Sequence, residues 1–238
     1  MEVALASVRV ATLNIRHGGG ERVAQLARAL LRHDADVLVL TEYRDGASGQ
    51  LLGKLLHEAG FKHQLDSAPP AKVNGVLLAS RRPARGRDVT LPSRARMVEA
   101  LVDDVWIGGV YFPGTPRRIA SFWKTEFMSV ALERRGERSL LIGDFNSGKH
   151  LVDEERSTLT GHPYVCEMEA SGWTDAWRSL HPGKRDYTWV SHRGNGFRLD
   201  HAWLSPQLGQ HLRGASHSHA ERDRALTDHS ALIVDLSG

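Results

Sequence analysis

A chain of 238 residues, 41% hydrophobic and 25% charged, can bury a sizeable core and reads as a single domain over 1–238, or as one fold built from two similar halves. Its single cysteine, Cys166, excludes an internal disulfide and a cysteine-based metal cluster, so a reducing cytoplasm is the expected setting. The first residues lack a basic segment with a long apolar core behind it, and no apolar run reaches the roughly 18 to 20 residues of a membrane span, so neither a signal peptide nor a membrane anchor is expected.

In chain order, the apolar run 8–13 predicts a buried strand, and Gly18-Gly19-Gly20 leads into a helix over 21–33, where Val23, Leu26, Ala27, Leu30 and Leu31 fall at helical spacing. A strand over 36–40 follows, then a helix through Leu51, Leu52, Leu55 and Leu56 that Gly60 terminates. The runs 75–79, 97–102 and 105–112 have hairpin-like connections, so part of the sheet is antiparallel and the whole is mixed. The second half predicts a helix over 119–134, a strand over 139–142, a helix over 163–170, and strands over 187–191, 197–204 and 231–236. Two halves of similar layout imply two sheets packed face to face, with helices on the outer faces. The polar loops 145–162 and 181–197 are candidates for substrate contact.

Five polar signatures each close an apolar run: Thr12-Leu13-Asn14, Thr41-Glu42, Gly143-Asp144-Phe145-Asn146, Leu199-Asp200-His201 and Thr227-Asp228-His229. Polar groups at strand ends are where a site can be assembled. Taken alone, each has an ordinary reading as an Asx turn, a cap or an ion pair. In the third signature the run 140–142 delivers an acid and an amide two residues apart. Asp144 there can act as a general base, while the Asn146 amide stabilises developing negative charge. Asn14 and Glu42 offer hard oxygen ligands, a donor type that selects Mg²⁺ or Mn²⁺ over zinc. A histidine such as His229, held by a buried carboxylate, has its tautomer fixed and its charged form favoured.

The net charge is only +3, but arginines cluster at 81–87, 94–96, 117–118 and 134–138, and their planar forks suit phosphate recognition. Together they favour a polyanionic partner.

The set of motifs, with Asn74-Gly75-Val76, Tyr111-Phe112-Pro113, the segment 172–178, Tyr187-Thr188-Trp189 and Arg198-Leu199-Asp200, resembles the endonuclease/exonuclease/phosphatase superfamily, and within it the exonuclease III type of apurinic/apyrimidinic endonuclease. The resemblance runs over nearly the full length. It implies an α/β four-layer sandwich of two packed mixed sheets flanked by helices, and a Mg²⁺-dependent hydrolase, with Mn²⁺ an alternative ion. On this likeness Asn14, Glu42 and Asp228 bind the cation, and Asp144 activates water or binds a second ion. Asn146 positions the phosphate; His229, oriented by Asp200, and the Tyr111 hydroxyl hold its oxygens. Trp189 lines a nucleotide pocket, and Arg16 joins Asn146, Tyr111 and His229 among the substrate-binding candidates. The expected partner is nucleic acid, DNA in the first instance, bound by a monomer with no membrane association.

Superfamily members with the same core residues cleave small and lipid phosphoesters, so a phosphatase or phosphodiesterase of that kind is the alternative, followed by a non-catalytic nucleic-acid-binding module. A lipase-like reading of His17-Gly18-Gly19-Gly20 fails because Gly-x-Ser-x-Gly is absent, and the same run lacks the Gly-Lys-Ser/Thr ending of a P-loop. His217-x-His219 lacks an evident third zinc ligand nearby.

Overall fold

The computed structural model describes residues 6–89 and 91–238; Met1–Leu5, part of the segment in which no signal peptide is expected, and Thr90 lie outside it. Its first sheet contains β1 (Val8–Asn14), β2 (Val37–Tyr43), β3 (His63–Asp66) and β4 (Gly75–Ser80), joined by β13 (Leu212–Ser218) and β14 (Ala231–Leu236) in the order β13-β14-β1-β2-β4-β3. The second contains β5 (Ala84–Arg87), β6 (Met97–Val102), β7 (Val105–Tyr111), β8 (Ser139–Asp144), β9 (Thr174–Asp175) and β12 (Asp200–Leu204) in the order β5-β6-β7-β8-β12-β9. Each sheet carries one parallel pair, β1 with β2 and β7 with β8, so both are mixed. Two halves of the chain therefore do not map onto two sheets, because the last two strands return to the first sheet beside β1.

Three apolar layers explain the continuous hydrophobic runs. Val8, Val10, Val37, Val39, Leu140, Ile142, Leu232 and Val234 face the space between the sheets. Their neighbours Ala11, Leu13, Leu38, Leu40 and Ile233 face outward onto α1 (Val23–Leu31) and α2 (Ala47–Glu58). On the other side Leu141 and Val110 meet α3 (Pro116–Phe122), α4 (Met128–Arg134) and α5 (His162–Ala170) through Phe122, Met128, Met168 and their neighbours. With both faces covered, alternation sorts apolar side chains between two cores, so no polar face is left to mark the strands.

The helix predicted over 119–134 starts earlier, with Pro116 in its first turn, and is interrupted by a π-helical turn at Trp123–Phe127. That turn sets Trp123 and Phe127 against Phe112 and Phe145. Helix 21–33 is shorter than predicted and begins after a 3₁₀ turn at Gly20–Arg22. The strand predicted over 197–204 is two pieces: β11 (Gly196–Phe197) pairs with β10 (Trp189–Val190) as a separate ribbon, and β12 begins at Asp200. The break falls where Arg198 gives its backbone N–H to Asp153 and Phe145 gives its own to Leu199, bonds that leave the ladder. Similarly, only Trp189–Val190 is paired within the strand predicted over 187–191.

Candidate active site

Strand parity brings the first groups together. Asn14 continues the inward series of Val8 and Val10, and Asp144 that of Leu140 and Ile142, so the two meet between the sheets. The Asn14 amide donates to Asp144 Oδ2 at 3.0 Å and to Glu42 Oε1 at 3.3 Å, and its oxygen accepts the Arg16 N–H at 2.9 Å. Glu42 has the parity of Leu38 and Leu40, which face the helices. A register shift between Thr41 and Tyr43, with Glu42 at φ +58°, is the bulge that re-aims it. Glu42 Oε1 then accepts the Tyr111 hydroxyl at 3.3 Å, and Oε2 accepts the His17 N–H at 2.8 Å.

Asp144 is fixed from its C-terminal side as well. Asn146, at φ +45°, folds back to donate its N–H to Asp144 Oδ1 at 2.9 Å, while its side-chain amide donates to the Phe112 carbonyl at 3.1 Å. Gly143, at φ +147°, lets β8 press against β7, since a Cβ there would sit 2.0 Å from the Val110 carbonyl oxygen. Opposite Asp144 in the β8–β12 ladder stands Asp200, which accepts the His229 Nδ1 proton at 2.8 Å. One oxygen of Asp144, one of Asp200 and one nitrogen of His229 lie within 4.8 Å of one another.

Their electrostatics are coupled. Burial pushes the Asp144 carboxyl up to about 7, with His229 opposing the shift and Asp200 reinforcing it. Burial disfavours the His229 charge, but the carboxylates led by Asp200 overcome it and raise the imidazole to about 10. Burial and then the charge of Glu42 raise the Tyr111 phenol to about 12, so it stays a hydrogen-bond donor.

Glu42, Tyr111, Asp144, Asn146, Trp189, Asp228 and His229 line one pocket of about 380 Å³, whose apolar wall adds Phe197, Leu199, Leu159 and Ile119. Trp189 gives its indole N–H to Asp228 at 3.3 Å and is bridged to His229. Three expected residues lie outside the pocket wall: Asn14 and Asp200 are buried behind it, bonded to Asp144 and His229, while the Arg16 side chain is exposed and its backbone bonds to Asn14.

Several participants carried no role in the sequence reading. Asn74 links Arg44 to the Tyr111 hydroxyl, at 2.6 and 3.4 Å, and His17 Nδ1 lies 2.9 Å from Glu42. The Thr188 hydroxyl accepts the N–H groups of Leu199 and Asp200. Below the pocket, fully buried Arg198 clamps Asp175 through both terminal nitrogens, at 3.1 and 2.7 Å, and gives Nε to Asp153 at 2.7 Å. His201 bridges Asp175 at 3.1 Å and the Ser147 carbonyl at 2.8 Å, tying β12 to the loop behind Asn146. Burial opposes ionisation of Asp175, yet Arg198 and His201 hold its carboxyl well below the usual range. Asn74 and Arg198 lie within motifs that carried the family likeness, but their polar partners are distant in sequence.

The endonuclease/exonuclease/phosphatase family profile matches residues 11–229, a span that contains every group of the pocket. The chain belongs to this family. Solved structures agree on the fold. A 3′ phosphatase, NExo, from Neisseria, bound to a product DNA hairpin, superimposes with TM-score 0.81 at 21% identity over 96% of this chain and 99% of its own. An AP endonuclease from Archaeoglobus fulgidus gives 0.82 at 18% identity, covering 96% and 99%. The 3′-5′ exonuclease NExo from Neisseria meningitidis gives 0.80 at 22%, covering 97% and 100%. Among curated proteins nothing matches. As a member of the endonuclease/exonuclease/phosphatase family the protein is a phosphoester hydrolase, and its architecture is the expected α/β sandwich of two mixed sheets flanked by helices. No helix among the described residues is long and apolar enough to cross a membrane.

Proposed function

We propose that the protein is a divalent-metal-dependent phosphodiesterase acting on DNA, a nuclease of exonuclease III type, with Mg²⁺ as its ion. The observation that carries the reading is one pocket in which Asp144, Asn146 and the His229–Asp200 pair face an apolar wall of Trp189, Phe197 and Leu199. Acids beside a flat aromatic surface suit a phosphate attached to a sugar and base. DNA-acting proteins among the structural neighbours support the same choice.

The donor set fits a hard cation. Glu42 and Asp228 present carboxylates to the pocket, the Asp228 carboxylate bonded among the described residues only to the Trp189 indole, and the Asn14 oxygen keeps a lone pair beyond its bond to Arg16. We assign Asn14, Glu42 and Asp228 to that ion, with Asp144 available to a second. When bound, the cation supplies charge neutralisation at the phosphate and the leaving oxygen.

The protein's own groups do the rest. Asp144, whose affinity for a proton is raised by burial, takes the proton from the attacking water as its oxygen bonds to phosphorus. The leaving alkoxide departs in line, with no covalent enzyme intermediate. The His229 imidazolium, the Asn146 amide and the Tyr111 hydroxyl donate to the non-bridging oxygens, where negative charge develops. Arg16, exposed and joined through its backbone to Asn14, adds a positive charge beside the site. We take the protein to act as a monomeric single domain over 1–238 in the cytoplasm.

The test is cleavage of single-stranded, double-stranded, abasic and RNA oligonucleotides, with Mg²⁺, Mn²⁺ or chelator. Chelator-sensitive cleavage of DNA is expected. Hydrolysis of soluble phosphomonoesters or lipid headgroups with no cleavage of any oligonucleotide would overturn the assignment.

A further inference from the structure

His217 lies on β13 and His219 just beyond its end, so the strand's alternation sets both on one face. Ala215, on that same face, packs into the core between the sheets. The His217 side chain is fully buried, its ring 4.7 Å from the Trp177 ring and nearly parallel to it. Neither of its ring nitrogens has a hydrogen-bond partner among the described residues. Buried His201, by contrast, is bonded at both. A neutral imidazole carries one N–H and one lone pair, and leaving both unmet in the interior is unfavourable unless something completes them.

One carboxylate serves both rings. Asp186, in the loop after α6 (Ala176–Leu180), places Oδ2 3.5 Å from His217 Nδ1 and Oδ1 2.9 Å from His219 Nε2. Two atoms that ligate one tetrahedral ion at about 2.0–2.1 Å lie about 3.4 Å apart, so both separations are near that of a ligand pair. The surrounding contacts suit the same purpose. His219 Nδ1 bonds to the Ser230 hydroxyl at 2.7 Å, the kind of contact that fixes the ring of a ligating histidine, and Lys184, at 3.5 Å, is the outer partner of the carboxylate. Burial lowers the proton affinity of His217 against the pull of Asp186, which favours the neutral form that a metal takes. The two histidine ring centres are 6.2 Å apart, so closing on an ion tilts the His219 ring inward, a movement open to a side chain that is 34% exposed.

We infer that Asp186, His217 and His219 form a zinc site, with water at the fourth position, that pins the segment leading into Trp189 against β13. Two imidazoles and one carboxylate suit Zn²⁺, whereas Mg²⁺ is held by oxygen donors, so this site and the catalytic pocket select different ions. The inference stands apart from the phosphodiesterase reading, because none of the three donors lines the catalytic pocket. Its role is structural: the pinned segment carries Thr188, which braces Asp200, and then Trp189.

The experiment is equilibrium dialysis of chelator-stripped, full-length protein against ZnCl₂, with melting followed in parallel. His229→Gln removes the imidazole of the catalytic pocket and so separates zinc held there from zinc held at Asp186. Asp186→Asn and His219→Gln are the test variants, since both side chains reach the surface while His217 stays in place. The parent and His229→Gln are each expected to bind about one Zn²⁺ tightly outside the pocket. That zinc should raise their Tm, and Asp186→Asn and His219→Gln should hold it at least about tenfold more weakly with no rise in Tm. No zinc uptake by His229→Gln, or parental zinc affinity in His219→Gln, would overturn the site. Should Asp186→Asn fail to fold, His219→Gln alone decides.

Discussion

Asp200 lies directly opposite Asp144 in the β8–β12 ladder, and of the two only Asp200 carries the bonded imidazole of His229, at 2.8 Å. One carboxylate therefore serves a histidine while its neighbour stays available to water. Asp144→Asn should keep its fold, with a melting temperature equal to or above that of the parent because a buried, desolvated acid is removed. Its cleavage rate should fall on the order of a thousandfold or more. Turnover within about tenfold of the parent would exclude Asp144 as the base.

The same pair sets a pH dependence of stability in metal-free protein. The folded His229 imidazole is raised to about 10, so its contribution is full below its unfolded value of about 6.5 and is lost as pH rises through 10. Asp144, raised from 3.8 to about 7, is linked in the same direction over a lower window: its share is lost between those two values and is gone above pH 7, so the fall from pH 7 to 10 belongs to His229. Urea denaturation of chelated parent should therefore show stability falling between pH 7 and 10 more steeply than in His229→Gln. Parallel curves would show that the imidazolium contributes nothing to the fold.

Arg198 is bonded to two carboxylates with no water access, so removing it strands Asp153 and Asp175 in the interior. Arg198→Met should cost about 3–5 kcal/mol, the usual consequence of breaking a buried pair from one side. A loss below about 1 kcal/mol in chemical denaturation would mean that the network is dispensable.

Gly143→Ala tests the approach of β8 to β7. At φ +147°, with the Val110 carbonyl oxygen 2.0 Å from the added methyl, the strand must shift or the variant must fail to fold. Soluble Gly143→Ala protein with parental melting and activity would contradict the strand packing beside Asp144.

Much of this site was legible because Asn14, Glu42, Asp144 and His229 each interrupt or flank an apolar run long enough to be a buried strand. Parity alone then explains where Asn14 and Asp144 point. It does not explain Glu42, whose aim comes from a bulge that the sequence does not announce. The edge strands β3 and β13 were invisible for a different reason: His63–Asp66 and Leu212–Ser218 are largely polar and half-exposed, so they lack the hydrophobic signal on which strand reading depends. Arg198 fell inside the strand predicted over 197–204 and within a motif of the family likeness, but nothing in the sequence pointed to its partners, Asp153 and Asp175, which are 45 and 23 positions away. His17 was read only as the start of a glycine run. The likeness to a family supplied the order of motifs, but only the folded chain shows that Asn74 and Thr188 brace the residues beside them.

Because β14 lies next to β1, the strand that brings in Asp228 and His229 is inserted beside the strand that brings in Asn14. The amide of β1 and the carboxylates of β2 and β8 are therefore completed by an imidazole from the far end of the described chain. A chain interrupted anywhere between residues 144 and 229 keeps the carboxylates of Glu42 and Asp144 but loses the imidazole that completes them.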